Sequence, residues 1–117
     1  MSFSQHLSKH LRTADADALA ELYADDAEML SFEFGSRSGR DAIREQYERF
    51  LGFHGEITQA ETKRETASGD RLFFELALES TRGAFTLIHA VVLDGERAAV
   101  HFTNVIEGEV EADQSAG

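Results

Sequence analysis

No cysteine occurs among the 117 residues, which excludes disulfides, thiolate metal sites and cysteine nucleophiles. Lysine is almost missing too. Lys9 and Lys63 stand beside nine arginines, a bias that suits a surface tuned for high salt and that a GC-rich genome also produces; we read it as solubility. Basic charge as a whole is scarce, 11 residues against 22 acids for a formal charge of −11. Such a chain repels nucleic acid and anionic lipid rather than attracting them. Residues 1–12 interleave His6, Lys9 and His10 with Phe3, Leu7 and Leu11, without the unbroken apolar stretch of a signal peptide. No other segment is apolar over the length a bilayer needs. No nucleic-acid or membrane partner is therefore expected, and a cytoplasmic location is the default.

What is present suffices for one domain, since a chain of this length buries one core and does not divide into two stable ones. Nine phenylalanines outnumber two tyrosines, and phenylalanine fills volume without needing a hydrogen-bond partner. Ser2 followed by Gln5 can form a capping box, and Phe3, Leu7 and Leu11 then recur along one face of a first helix. Asp15 can cap a second helix with Leu19, Leu22 and Tyr23 on one side and Asp17 near its positive end. From Ala27 to Phe34 the period becomes two, with Leu30, Phe32 and Phe34 on one face and Met29, Ser31 and Glu33 on the other, which predicts a strand. Residues 35–39 read as a loop. Ile43, Tyr47, Phe50 and Leu51 mark a third helix closed by Gly52.

The remainder predicts sheet: residues 57–66, 72–81, 84–93 and 97–106, separated by Ser68-Gly69-Asp70, Arg82-Gly83 and Asp94-Gly95. Residues 107–117 carry four acids and one large aliphatic, too little to offset their ordering entropy. The expected organisation is one domain over residues 1–107 with an acidic, disordered tail over 108–117. Helices followed by a run of hairpin-linked strands define an α+β fold with helices on one face of an antiparallel sheet.

That order, the run Tyr23-Ala24-Asp25-Asp26-Ala27 and the later Gly39-Arg40-Asp41-Ala42-Ile43-Arg44 resemble the ketosteroid-isomerase-like and polyketide-cyclase-like (SnoaL-like) families of the nuclear-transport-factor-like superfamily. The resemblance implies a cone-shaped half-barrel, a curved antiparallel sheet wrapped around three N-terminal helices, with a small-molecule pocket between the layers. It covers nearly the whole chain up to Ile106. In the steroid isomerases an aspartate base moves a proton while a tyrosine and a protonated aspartic acid stabilise the oxyanion. Carried over residue by residue, the base falls on Ser31, the oxyanion tyrosine on Leu7 and the protonated acid on His89. Tyr23 and Tyr47 match supporting tyrosines. In the same register the concave face carries Phe73, Glu75 and Ala77, then Phe85, Leu87 and His89, then His101 and Thr103.

His89, between Leu87 and Val91, is the leading acid–base or donor candidate; a lone histidine on an apolar strand also reads as a satisfied core residue. Glu75 joins it if it faces inward, and is a solvated outer residue if the register slips by one. Glu33 can replace the missing base if its strand is bulged. Met29, Ser31, Tyr23, Tyr47, Phe73, Phe85, Leu87, His101 and Thr103 are the expected pocket lining. Two histidines and a glutamate can also form a facial metal site, but they come from different strands rather than from a metal-binding motif, so neither metal nor organic cofactor is expected. Two functions follow. One is an isomerase- or cyclase-type enzyme using acid–base chemistry on an apolar, oxygen-bearing substrate. The other is a non-catalytic ligand-binding or dimerisation module, its outer face of Ile88, Ala90, Val92 and Phe102 covered by a second copy.

Overall fold

Ser2 starts the first helix as its capping pattern requires: its hydroxyl accepts from the Gln5 N–H, and the Gln5 side chain accepts from the Ser2 N–H. The computed structural model describes residues 2–33 and 35–110. Helix α1 (Phe3–Arg12) carries Lys9 and Arg12 in its last turn, cations placed against the negative end of the helix dipole. Helix α2 (Ala16–Ala20) is capped by Asp15, whose carboxylate accepts from Ala18 N–H at 3.0 Å. Then come β1 (Tyr23–Leu30), β2 (Arg37–Ser38), α3 (Arg40–His54), β3 (Ile57–Ser68), β4 (Arg71–Ser80), β5 (Gly83–Asp94) and β6 (Arg97–Val110).

The six strands form one sheet in the order β2-β1-β6-β5-β4-β3, antiparallel except for the parallel pair β1 and β6. Register shifts interrupt the ladders between Lys63 and Thr66, between Thr86 and Leu87 and between Val92 and Leu93. Arg64, at the first of these, has φ 50°. Bulges of this kind bend a strand and increase its twist, and the sheet curls around the helices. Helix α1 packs against β3, and α3 packs against both α2 and β1. Phe3, Leu7 and Leu11 of α1 and Ile43 and Tyr47 of α3 meet Leu72, Phe74, Leu76, Leu78, Leu87 and Val91 of the sheet in one core.

Several expected boundaries move. Tyr23 is the first residue of β1 rather than the end of α2, because the α2 carbonyls are already closed by the Glu21 and Leu22 N–H groups. β1 stops at Leu30, so Phe32 is not on an inner face; it is exposed in a turn and meets the edge of Phe102. Phe34 lies outside the described residues. The loop over 35–39 contains the short edge strand β2. Gly52 sits inside α3, which ends instead at Gly55, whose N–H bonds Leu51. β6 runs on to Val110, opposite Gly83, and the rest of the expected tail, residues 111–117, lies outside the described residues.

β4 takes the parity opposite to the expected one. Leu72, Phe74, Leu76 and Leu78 face the core, while Phe73, Glu75 and Ala77 face outward. The two-residue loop Gly69-Asp70 pairs Ser68 with Arg71 and thereby sets the register. The alternative parity would bury Glu75 and Glu79 in place of three leucines and a phenylalanine, and an unpaired buried carboxylate is costly.

Gly55 has φ 72° and ψ −145°, close to a region that only glycine occupies readily, and a Cβ there would meet Thr81 Oγ1 at 3.0 Å. Gly55→Ala is expected to lower unfolding free energy by about 1–3 kcal/mol. Urea denaturation checks this, and a variant as stable as the wild type would contradict the geometry.

Candidate ligand site inside the cone

His89 and Thr103 lie directly opposite one another on β5 and β6, and His101 is the diagonal neighbour of His89 on the same concave face. Diagonal pairs across an antiparallel ladder are within reach for aromatic side chains. His89 Nδ1 and His101 Nε2 are 2.7 Å apart, and His101 Nδ1 is 2.6 Å from the Tyr23 hydroxyl. The Tyr23 hydroxyl is in turn 2.5 Å from that of Tyr47. One hydrogen-bonded line thus runs from α3 through β1 and β6 to β5. Tyr23 is held by Arg40, whose guanidinium donates to the Tyr23 carbonyl at 2.7 and 3.1 Å and pairs with Asp25 at 2.9 Å. Phe74 stacks on the His89 ring with centroids 4.7 Å apart. Phe3 makes near-perpendicular ring contacts with both Tyr23 and His101.

Burial decides the charge of this line. Desolvation holds His101 down at about 3 and, with help from the neighbouring His101, holds His89 well below the ordinary imidazole range. Desolvation also raises both phenols, Tyr23 and Tyr47, above their usual value. All four groups are therefore neutral at physiological pH.

A cavity of about 30 Å³ adjoins the end of the line, room for one or two water molecules. Leu7 and Leu11 of α1, Met29 of β1, Gln46, Tyr47 and Phe50 of α3, Leu87 and His89 of β5 and Thr103 of β6 enclose it. Two buried polar atoms on its lining residues, His89 Nε2 and Thr103 Oγ1, have no hydrogen-bond partner among the described residues. A third such atom, His54 Nδ1, belongs to an aromatic cluster with Phe50, Phe53 and Phe85 that adjoins the cavity through Phe50.

Of the expected lining, Met29, Tyr47, Leu87, His89 and Thr103 border the cavity; Tyr23 and His101 stand behind it in the hydrogen-bonded line. Phe85 is inward but stacks on His54 instead. Phe73 and Glu75 are on the outer face, where Glu75 pairs with Arg64 at 3.6 Å. Glu33 is exposed in the turn after β1 and accepts from the Val105 N–H at 2.6 Å. Ser31 donates to Asn104 Oδ1 at 2.7 Å. Neither borders the cavity, because β1 ends before them. With Glu75 removed, the facial metal arrangement does not form, and no group of three or more metal-binding side chains occurs among the described residues. Leu11, Gln46 and Phe50 were not anticipated. For Gln46 and Phe50 the signal was present: Ile43, Gln46, Tyr47 and Phe50 follow the helical spacing i, i+3, i+4, i+7.

Helices inside a curved, unclosed sheet, with a mostly apolar cavity between the layers, define the cone-shaped α+β class. Within that class the chain belongs to the SnoaL-like domain family, whose model matches residues 4–107. No curated protein sequence matches it. A protein of ketosteroid isomerase-like fold from Catenulispora acidiphila, in complex with trimethylamine, superposes with a TM-score of 0.76 at 15% identity, over 87% of this chain and 83% of that one. A proposed polyketide cyclase from Sinorhizobium meliloti gives 0.73 at 20% identity, over 87% and 93%. A de novo designed protein with a curved β-sheet gives 0.75 at 10% identity, over 89% and 82%. At these identities the likeness is one of fold. Among the described residues no helix is long and apolar enough to cross a membrane.

Unfolded imidazoles titrate near ~6.5, so as pH falls below that value the unfolded chain takes up protons that folded His89 and His101 refuse. Their contribution is complete above about pH 6.5 and declines below it by about 1.4 kcal/mol per pH unit for each histidine. Urea unfolding followed down to about pH 5, where carboxylates are still ionised, should fall steeply. A level or rising profile would sink the neutral assignment.

Proposed function

We propose that the domain binds a small, mostly apolar molecule bearing one oxygen-type polar group, head first against His89 and Thr103, and moves a proton on it. The observation that carries this reading is the pair of unpartnered buried atoms, His89 Nε2 and Thr103 Oγ1, on two residues that line one mostly apolar cavity. A buried polar group without a partner costs about 1–3 kcal/mol, so a site holding two of them is suited to a polar occupant. Greasy walls with a few placed polar groups are the usual make-up of a ligand site. The cavity as folded takes the head of a molecule rather than its whole body, and Phe50, partly exposed at the wall, is the side chain to be displaced by the rest.

His89 is the proposed acid–base group, acting in an isomerase- or cyclase-type reaction. It is neutral, so it can accept a proton at Nε2 or donate one there. Glu75 and Glu33, both remote from the cavity, have no part in this version. Their absence favours the second reading, a ligand-binding module without turnover.

Exchange of the α-hydrogens of cyclohexanone in deuterated water, followed by NMR, separates the two. Wild type is expected to exceed buffer, and His89→Ala to return to the buffer rate. Thr103→Val, which keeps shape and removes the orphan hydroxyl, should bind cyclohexanone about three- to tenfold more weakly while folding at least as stably. Binding without exchange would leave only the carrier reading; no binding at all would remove both.

The outer face carries Phe73, Ile88, Ala90, Val92 and Phe102, all partly exposed, and an apolar groove crosses it between Thr66, Phe73, Val92 and Phe102. We assign this face to a homodimer. Sedimentation is expected to give a dimer at micromolar concentration and a monomer for Phe102→Asp; a wild-type monomer would refute the assignment.

A further inference from the structure

Tyr47, Tyr23, His101 and His89 meet in three contacts. Two phenols and two neutral imidazoles bring one proton each. Every contact uses one proton, so one of the four is left over, and in a fully paired line it sits at an end. Two arrangements satisfy this. In the first, Tyr47 donates to Tyr23, Tyr23 to His101 Nδ1, and His101 Nε2–H to His89 Nδ1, leaving the His89 proton on Nε2. In the second, every donor is reversed: His89 Nδ1–H donates to His101 Nε2, His101 Nδ1–H to the Tyr23 oxygen, and Tyr23 to Tyr47, leaving the spare proton on Tyr47. Other arrangements set two lone pairs or two protons face to face, or strand the proton of Tyr23, a fully buried residue.

We propose that these four side chains form one proton-ordered unit with two states, selected by whether an uncharged molecule in the cavity accepts or donates a hydrogen bond at His89 Nε2. The proposal rests on the ligand reading of the cavity given above. Both histidines carry Nε2–H in the first state and Nδ1–H in the second, so they must always change tautomer together. The first state presents a donor to ketones and ethers. The second presents an acceptor to N–H and O–H groups. The lining holds no carboxylate, lysine or arginine, which suits an uncharged occupant. Tyr23, His101 and Tyr47 act here as positioning residues, since they set the protonation of His89 through hydrogen bonds.

Tyr47→Phe gives the unit a direction. In that variant the second state would leave the Tyr23 proton without an acceptor, whereas the first leaves only an oxygen lone pair unmet, the lesser penalty. The variant should therefore hold both histidines as Nε2–H whatever the ligand.

The test is long-range ¹H–¹⁵N correlation of the histidine rings in the full chain, with tetrahydrofuran as an acceptor-only probe and pyrrole as a donor-only probe of similar size. Tetrahydrofuran is expected to draw both imidazoles to Nε2–H and pyrrole to draw both to Nδ1–H. In Tyr47→Phe both should be Nε2–H, and pyrrole should lose about tenfold more affinity than tetrahydrofuran does. Opposite tautomers at His89 and His101, or a change at one alone, would overturn the proposal. So would spectra identical in wild type, in the variant and with either probe. If Tyr47→Phe moves both rings while neither probe does, the coupled unit stands and the ligand reading of the cavity falls.

Discussion

The hydrogen-bonded line from Tyr47 to His89 is the constraint on which the interior depends. Each of its members is buried, and each would be expensive alone, since a polar group without a partner costs more than a made hydrogen bond returns. Pairing with one another resolves this only if α3, β1, β6 and β5 hold fixed relative positions, because each element contributes one member. The line therefore acts as a register pin across elements distant in sequence. Arg40 strengthens it from below, tying the backbone of Tyr23 and the side chain of Asp25 to the first turn of α3. A one-residue slip of β6 against β5 would turn His101 and Thr103 outward and strand His89.

Local signals accounted for much of the frame. The capping box at Ser2, the Asp15 cap and the four-residue spacing of Phe3, Leu7 and Leu11 are interactions between near neighbours, and they read directly. Errors arose where a distant partner decides. β1 begins at Tyr23 because Tyr23 pairs with Ala98, 75 positions later, and the Ala98 N–H bonds the Leu22 carbonyl. Nothing within a few residues of Tyr23 announces that. The β2 edge strand has the same cause, since two residues pair with Met29 and Glu28 only once the chain has turned back.

The site was legible in part and for a comparable reason. β5 is apolar on both faces, and the family register rather than periodicity put His89, His101 and Thr103 on the inner face, where they are buried. β4 is apolar on both faces over Leu72-Phe73-Phe74, and periodicity there does not choose a parity. The choice falls on the charges, Glu75 and Glu79, which were available as a signal and point outward together. Gln46 was hidden differently. Its type suggests a solvent-facing helix position, yet its spacing from Ile43 and Phe50 puts it inside, where the fold leaves it buried beside the cavity.

The contrast between surface and interior bears on what such a site can select. A formal charge of −11 is spread over the chain, while the cavity lining contains no carboxylate, and burial holds both His89 on the lining and His101 behind it neutral. The surface field disfavours anions on approach, and burial disfavours any charge on arrival. Cations are attracted to the exterior but find no anion within to receive them. On the ligand reading proposed above, what passes both filters is an uncharged molecule with apolar bulk, discriminated by shape and by the sense of one or two hydrogen bonds. Two orphan atoms, one on an imidazole whose tautomer is proposed to change together with that of His101, would give the site a basis for that discrimination without any change in its net charge.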